Sequence, residues 1–541
     1  MRHGDTGVTR RKKKKWKEAE EALQRGGNRG LVELVAPIIL AHPLALLPLI
    51  PTLPYSFLPA GVVFFVPIFV VIAGLSACAH VVVVYLSRYL KVITFEDMLH
   101  RTAGRHGLLG GRAVQLTGIL LISSAWLRAI HAILLPVLQT ISPYPGFFQS
   151  RLLWTTLSSI VMWPSSFSFF RQSKVVARLP EYLAILVPLV IFLVIGRTVE
   201  IVKAGGMAVS SSGAGMTANM STSLTSETQP HAPESSTSLV NAGTAITLIT
   251  LLFTPHVRTL PIHLTLVKIS RRWFPGSCLS AAGILAVLCL PFALVPYYLL
   301  AKDSTSTLPS INEAGLLAGI FDALQVESTD TEGHHVDGRR FKTDGWLNFA
   351  RVCMVALIMH SIVLWTAQAK DVSLRALGIE REGRTKAQRW LSVCYWVLVT
   401  GIACIGGRFA EKVEWIGAAC VISVGWLIPA IVFIKTFHLA NPLSIVFLAS
   451  NSPYQAVLNA ASTIPYAEDS LRAEMDQGEA GHVTMQDPST DVLLARKERQ
   501  LQKKRTGRRM WQDLIVFLGI LPIGLFTVLW CIGVAIGLIP A

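Results

Sequence analysis

Apolar runs long enough to cross a bilayer recur along the chain, separated by polar stretches. A spanning helix needs about 20 mostly apolar residues, within a range of roughly 17 to 25. By that measure the pattern predicts about eleven segments. They lie at 31–53, 61–86, 113–138, 152–170, 180–197, 242–262, 278–300, 347–368, 390–407, 413–436 and 511–539. The expected fold is an all-α polytopic membrane protein. Residues 1–30 form a basic tail, 31–440 carry the first ten segments, 441–510 form a polar and basic loop, and 511–541 carry the last segment.

Two of these segments are interrupted. The first contains "LPLIPTLPYSFLPAG", with Pro48, Pro51, Pro54 and Pro59 inside it and Pro37 and Pro43 upstream. An interior proline removes a backbone donor and crowds the preceding turn, at about 3 kcal/mol in a helix. The sixth segment, "AGTAITLITLLFTPHVRTLPIHL", is interrupted at Pro255, with Thr254 and His256 on either side. Their starts are five segments apart. Five is odd, so a five-helix repeat would recur upside down. The expectation is therefore a 5+5 inverted repeat with broken helices one and six, plus an eleventh helix, an arrangement found in secondary transporters. Irregular backbone survives at membrane depth only where protein or a watery cavity satisfies it. Half-helix N-termini attract carboxylates and exposed carbonyls attract cations, which suits a zwitterionic amino acid.

The polar stretches set an orientation. "RQSKVVAR", "HVRTLPIHLTLVKISRRW", "KDVSLRALGIEREGRTKAQR" and "ARKERQLQKKRTGRR" all fall on the side of the tail "RRKKKKWKEAEEALQRGGNR". Basic loops mark the cytoplasmic face, so the N-terminus is expected there. Residues 202–241 are Ser/Thr-rich and hold the sequon Asn219-Met220-Ser221, while 301–345 are net acidic; both fall on the other side. The tail is too polar to be a secretory signal.

Composition agrees. The chain is 52% hydrophobic and 15% charged, where soluble proteins carry about 25% charged residues. The net charge of +16 sits in the tail and alternate loops, as topology requires, so nucleic acid is not an expected partner. The eight cysteines lie in or beside apolar runs with no disulfide or CxxC pattern. No HExxH, GxSxG or GxxxxGK[ST] motif is present, and no enzyme activity is expected. "EGHHVDG" holds His334, His335 and Asp337 in an acidic loop with no matching ligand set, so no metal is expected.

A few polar residues lie inside the segments. Arg128 stands near the middle of segment three, where a charge normally faces protein or water. It is a candidate for a substrate carboxylate or for a fixed cation replacing sodium, against a structural role capping carbonyls. No acidic partner stands at mid-membrane; Glu33 and Glu181 fall near segment ends. His131 shares a helix face with Arg128. His360 in segment eight and His42 in segment one are further candidates to relay a coupling proton.

Several stretches together resemble the amino acid/auxin permease family of transmembrane amino acid transporters. "LPYSFLPAG" is similar to that family's first-helix LPYAF…G pattern, and "ITFEDML" to its start after helix two. "WPSSFSFFRQSKVVARLPEYLAILVPL", "LLFTPHVRTLPI", "LNFARVCMVALIMHSIVLWTAQAKDVSL" and "IGAACVISVGWLIPAIVFIK" resemble its helices four to five, six, eight and ten. The resemblance implies eleven helices, substrate between helices one, six, three and eight, and coupling to a proton or sodium gradient. It implies substrate-binding residues Leu47, Leu49, Pro51, Thr52 and Tyr55 at the first break, and Phe253, Thr254, Pro255 and His256 at the second. Arg128, His131 and His360 are the coupling or carboxylate candidates. The chain departs from the family with Leu47 and Leu49 in place of glycines, Pro255 in place of a cysteine, Arg258 in place of an asparagine and Lys370 in place of an arginine. The expected function is secondary transport of amino acids, with a non-transporting amino acid sensor as the alternative. The expected location is the vacuolar, endosomal or plasma membrane, with no cofactor beyond a coupling ion.

Overall fold

The computed structural model describes residues 31–58, 60–90, 92–141, 150–162, 174–201, 235–265, 268–300, 345–379, 384–439 and 511–539. The tail, the Ser/Thr-rich loop with its sequon, the acidic loop with His334 and His335, and the loop at 441–510 lie outside the described residues. The described chain is helical, and no strand occurs in it. Eight of its helices are long and apolar enough to cross a membrane. Large apolar side chains such as Phe64, Val287 and Leu518 are exposed on the outside of the bundle. In water such a surface would drive association; against lipid it lies in its natural solvent. The protein is an integral membrane protein.

Helix is present in each of the predicted segments. Segment one divides into α1 (Leu31–Ile39) and a long 3₁₀ helix (Leu44–Phe57). Segments two to five contain α2 (Val62–Tyr89), α3 (Phe95–Ile141), α4 (Arg151–Met162) and α5 (Lys174–Ile201). Segment six divides into α6 (Ser235–Leu252), a 3₁₀ turn (His256–Arg258) and α7 (Thr259–Thr265). Then come α8 (Lys268–Leu300), α9 (Gly345–Ala376) and α10 (Arg384–Cys404). Segment ten runs through α11 (Gly407–Ile422), a π turn (Ser423–Leu427) and α12 (Ile428–Ile434). Segment eleven ends in α13 (Leu521–Ile536), stopped by Gly537 in the left-handed conformation that favours glycine. A second glycine with positive φ, Gly104, breaks α3 after its first turns and folds them back, so that Leu99 lies against Gly111.

The 3₁₀ helix has an unusual length, because such helices seldom exceed about four residues. Its sequence explains it. Pro48, Pro51 and Pro54 recur every third residue, and a 3₁₀ helix turns once every three residues, so they share one face. Each proline withholds an N–H from the carbonyl three residues earlier, at Ala45, Pro48 and Pro51. The two residues between prolines remain able to donate. An α-helix would meet ring clashes at all three prolines.

The helices pack in two groups. Segments one, two, six and seven pack on each other through α1, the 3₁₀ helix, α2, α6, α7 and α8. Segments three, four, eight and nine pack on each other through α3, α4, α9 and α10. α5 packs on α1, α8 and α9, and α11 packs on α3 and α13. Among the eight long apolar helices segment six is the most enclosed: 83% of the apolar stretch in Ala242–His263 is buried, against 28% in Tyr182–Glu200.

Candidate functional site

The centre of the molecule is the interruption of segment six. α6 stops at Leu252, and helix resumes at His256. Phe253, Thr254, Pro255 and His256 are all buried. With the regular ladder broken, their backbone and side-chain groups find partners on other segments. The Ser76 hydroxyl of α2 donates to the Phe253 carbonyl at 2.7 Å. The Trp426 indole N–H of segment ten donates to Thr254 Oγ1 at 2.9 Å, and Thr254 Oγ1 in turn donates to the Thr250 carbonyl at 2.5 Å. His256 Nε2 lies 3.2 Å from the Ser76 carbonyl. Protein groups thus close the gap, as irregular backbone at membrane depth requires.

Three imidazoles surround this network. His80 of α2 stacks on His256 with ring centroids 4.3 Å apart, and its Nδ1 lies 2.5 Å from Thr259 Oγ1. His42 stands edge-on to Phe253 at 6.0 Å, and its Nδ1 donates to the Ile38 carbonyl at 2.8 Å. Each ring has one nitrogen held and one buried without a hydrogen-bond partner: His42 Nε2, His80 Nε2 and His256 Nδ1. Gly425, in the π turn of segment ten, allows the close approach. A Cβ there would come 2.4 Å from Thr254 Cγ2 and 2.8 Å from His256 Nδ1. Among the described residues no group of three or more His, Cys, Asp or Glu is placed to hold a metal ion.

A cavity of about 160 Å³ opens beside His256. Gln115, Gln368, Asp371 and Arg375 line it with Thr94 and Val424. At its rim Arg375 of α9 pairs with Glu96 of α3 at 2.9 Å.

The predicted residues of segment one are placed differently from those of segment six. Leu47, Leu49 and Pro51 are buried in the 3₁₀ helix, and Thr52 donates to the Leu49 carbonyl at 2.8 Å. Tyr55 packs on Tyr297 of α8 at 4.8 Å. At about 2 Å per residue, Tyr55 lies roughly 22 Å beyond Leu44. His42, at the junction between α1 and the 3₁₀ helix, stands edge-on to Phe253, and the 3₁₀ helix itself packs on α6.

Arg128 forms an ion pair with Glu414 of α11. This corrects the expectation that it has no acidic partner. Glu414 stands early in segment ten, and the antiparallel packing of α11 on α3 brings it level with Arg128. His131, one turn on, is half-buried, as is His360, which lies within electrostatic reach of Arg258. Sequence reasoning missed His80, which reads as a lone polar residue in "SACAHVVVV". It also passed over Lys370 as a site residue. That side chain is 4% exposed and donates to Ser392 Oγ at 3.1 Å beside a cavity of about 30 Å³ between α3, α4, α9 and α10.

No family model matches the chain, and no curated protein matches it.

Proposed function

We propose that this protein is a secondary active transporter of neutral amino acids, working by alternating access and built as a divergent member of the amino acid/auxin permease family. The observation that carries the reading is the grouping of segments. One group joins segments one and two to six and seven; the other joins three and four to eight and nine. Each group is therefore a pair of neighbours and the pair five segments later, which is the packing expected of a 5+5 inverted repeat. The first member of each half, segments one and six, is the interrupted one. In this topology all eleven segments span. α1 and the 3₁₀ helix together reach about 41 Å, more than the roughly 30 Å of hydrocarbon.

In this reading the first group moves against the second, an amino acid binds between them, and a coupling proton or sodium ion drives the movement. The first turns of α3 fold back at Gly104, so Glu96, paired with Arg375, lies near the level of Gln115, and Arg128, paired with Glu414, stands about 20 Å further along the helix. In this reading each pair holds one side closed in turn. The cavity beside His256 lies at the end that the basic loops mark as cytoplasmic.

A sensor that binds an amino acid without moving it is favoured by one observation. Ser76 and Trp426 already fill the hydrogen-bonding positions of the segment-six interruption. Uptake of labelled neutral amino acids into proteoliposomes under an imposed pH or sodium gradient separates the two. Saturable uptake driven by a gradient is the expected result; saturable binding with no uptake would establish the sensor.

A further inference from the structure

We infer that His80 and His256 form the coupling-proton site, taking up a single proton at His256 Nδ1. This rests on the transport reading above, and it names the ion that reading leaves open.

The tautomer of His256 follows from its contacts. A carbonyl oxygen only accepts, so the contact with the Ser76 carbonyl puts the ring proton on Nε2. Nδ1 then presents a bare lone pair, buried and without a partner, toward Gly425. Its neighbour in the stack, His80, is anchored by Thr259 and likewise keeps one nitrogen without a partner. Two imidazolium charges stacked this closely would repel strongly in a buried site, so the pair accepts one proton and refuses a second.

The cavity offers a route for the proton, and segment ten would feel its arrival. His256 lines the adjoining cavity, and in this proposal a hydronium ion entering it gives its proton to Nδ1, leaving water and an imidazolium. The charged ring carries a new N–H that faces segment ten with no acceptor in place. Protonation therefore favours a conformer in which segment ten withdraws from the interruption, and deprotonation favours the packed conformer described here.

The charged and titratable surroundings come from four sides. Segment one contributes His42. Segment six contributes Arg258, and α2 contributes Arg88, which donates to His263 at 3.0 Å nearer the helix end. The cavity wall contributes Glu96 and Arg375 as an ion pair, and Asp371. Segment ten presents Val424, Gly425 and Trp426.

Trp426 provides a readout independent of transport. Its ring lies 5.9 Å from His256, and a protonated imidazole quenches indole emission at contact range. Purified full-length protein is titrated from about pH 4 to about pH 9, a span that brackets the ordinary histidine range, while tryptophan emission is followed. Expected is a step in the native protein and in His131→Gln. The step is lost in Trp426→Phe and in His256→Gln, and its midpoint moves in His80→Gln. Proton entry is then measured with a trapped pH dye alongside amino acid uptake. Expected is proton movement with substrate in the native protein and in His131→Gln, and loss of proton movement in His256→Gln. A step that survives in His256→Gln, no step at all, or proton movement that persists in that variant would each overturn the site. An emission step that maps to His256 in a protein that moves no amino acid would overturn the transport reading and leave the proton site standing.

Discussion

Segments one and six both depart from the α-helix, and they do so in opposite ways. Segment one departs over its full 3₁₀ length, under the direction of three prolines, and it largely satisfies itself. Two residues in every three still donate along the helix, and the surroundings are apolar. Segment six departs over a few residues around a single proline, and its groups are satisfied by α2 and segment ten. The first departure is a property of the segment. The second is a property of the assembly, so it changes when the segments move. A gap whose partners come from other helices can be opened, whereas the 3₁₀ helix draws most of its donors from within itself.

The prolines provide the strongest way to break this comparison. Replacing Pro48, Pro51 and Pro54 together with alanine restores three donors and removes the ring clashes, so the stretch is expected to relax to an α-helix. Its length would fall from about 28 Å to about 21 Å. Tyr55 would then leave Tyr297. A short thiol reagent bridging Tyr55→Cys and Tyr297→Cys in a cysteine-depleted background is expected to react with the native sequence and to fail in the triple variant. Equal bridging in both would show that packing, and not proline spacing, holds the 3₁₀ form.

Gly425→Val is next in size. Its new side chain meets Thr254 and His256 at distances no real Cβ tolerates. The expected cost reaches the upper end of the roughly 1–3 kcal/mol typical of overpacking. Thermal unfolding in detergent should fall accordingly, with transport lost first. Ser76→Ala is smaller. It leaves the buried Phe253 carbonyl without its donor, at about 1–3 kcal/mol. Smallest is Tyr55→Phe, which loses only a long contact of 3.5 Å to the Tyr297 carbonyl. It is expected to change stability by less than about 0.5 kcal/mol. If Tyr55→Phe proved costlier than Ser76→Ala, the contrast between the two segments would be reversed.

Much of this contrast is written in the chain. The apolar runs locate the segments, and Pro255 between Thr254 and His256 marks the interruption where it occurs. The proline cluster also marks segment one, but its spacing of three carries a further message: a continuous helix of another kind, with the true interruption upstream at His42. His80 was not legible, because one histidine in an apolar run gains meaning only when the ring it stacks on is known. Glu414 was hidden by position. It lies near a segment end by count, and only the antiparallel register against α3 brings it to Arg128. Lys370 sits near the end of a predicted segment, yet α9 continues to Ala376 and carries it into the interior.

The central claim is that the segment-six interruption is the working part of a transporter. It is tested most directly by comparing His256→Ala with His263→Ala in gradient-driven uptake of neutral amino acids. The two histidines share segment six and are both buried, but only His256 belongs to the interruption, while His263 pairs with Arg88 and packs on Phe274. The account predicts that uptake falls at least about tenfold in His256→Ala, equivalent to about 1.4 kcal/mol, and changes little in His263→Ala. Equal and mild effects in the two variants would contradict it.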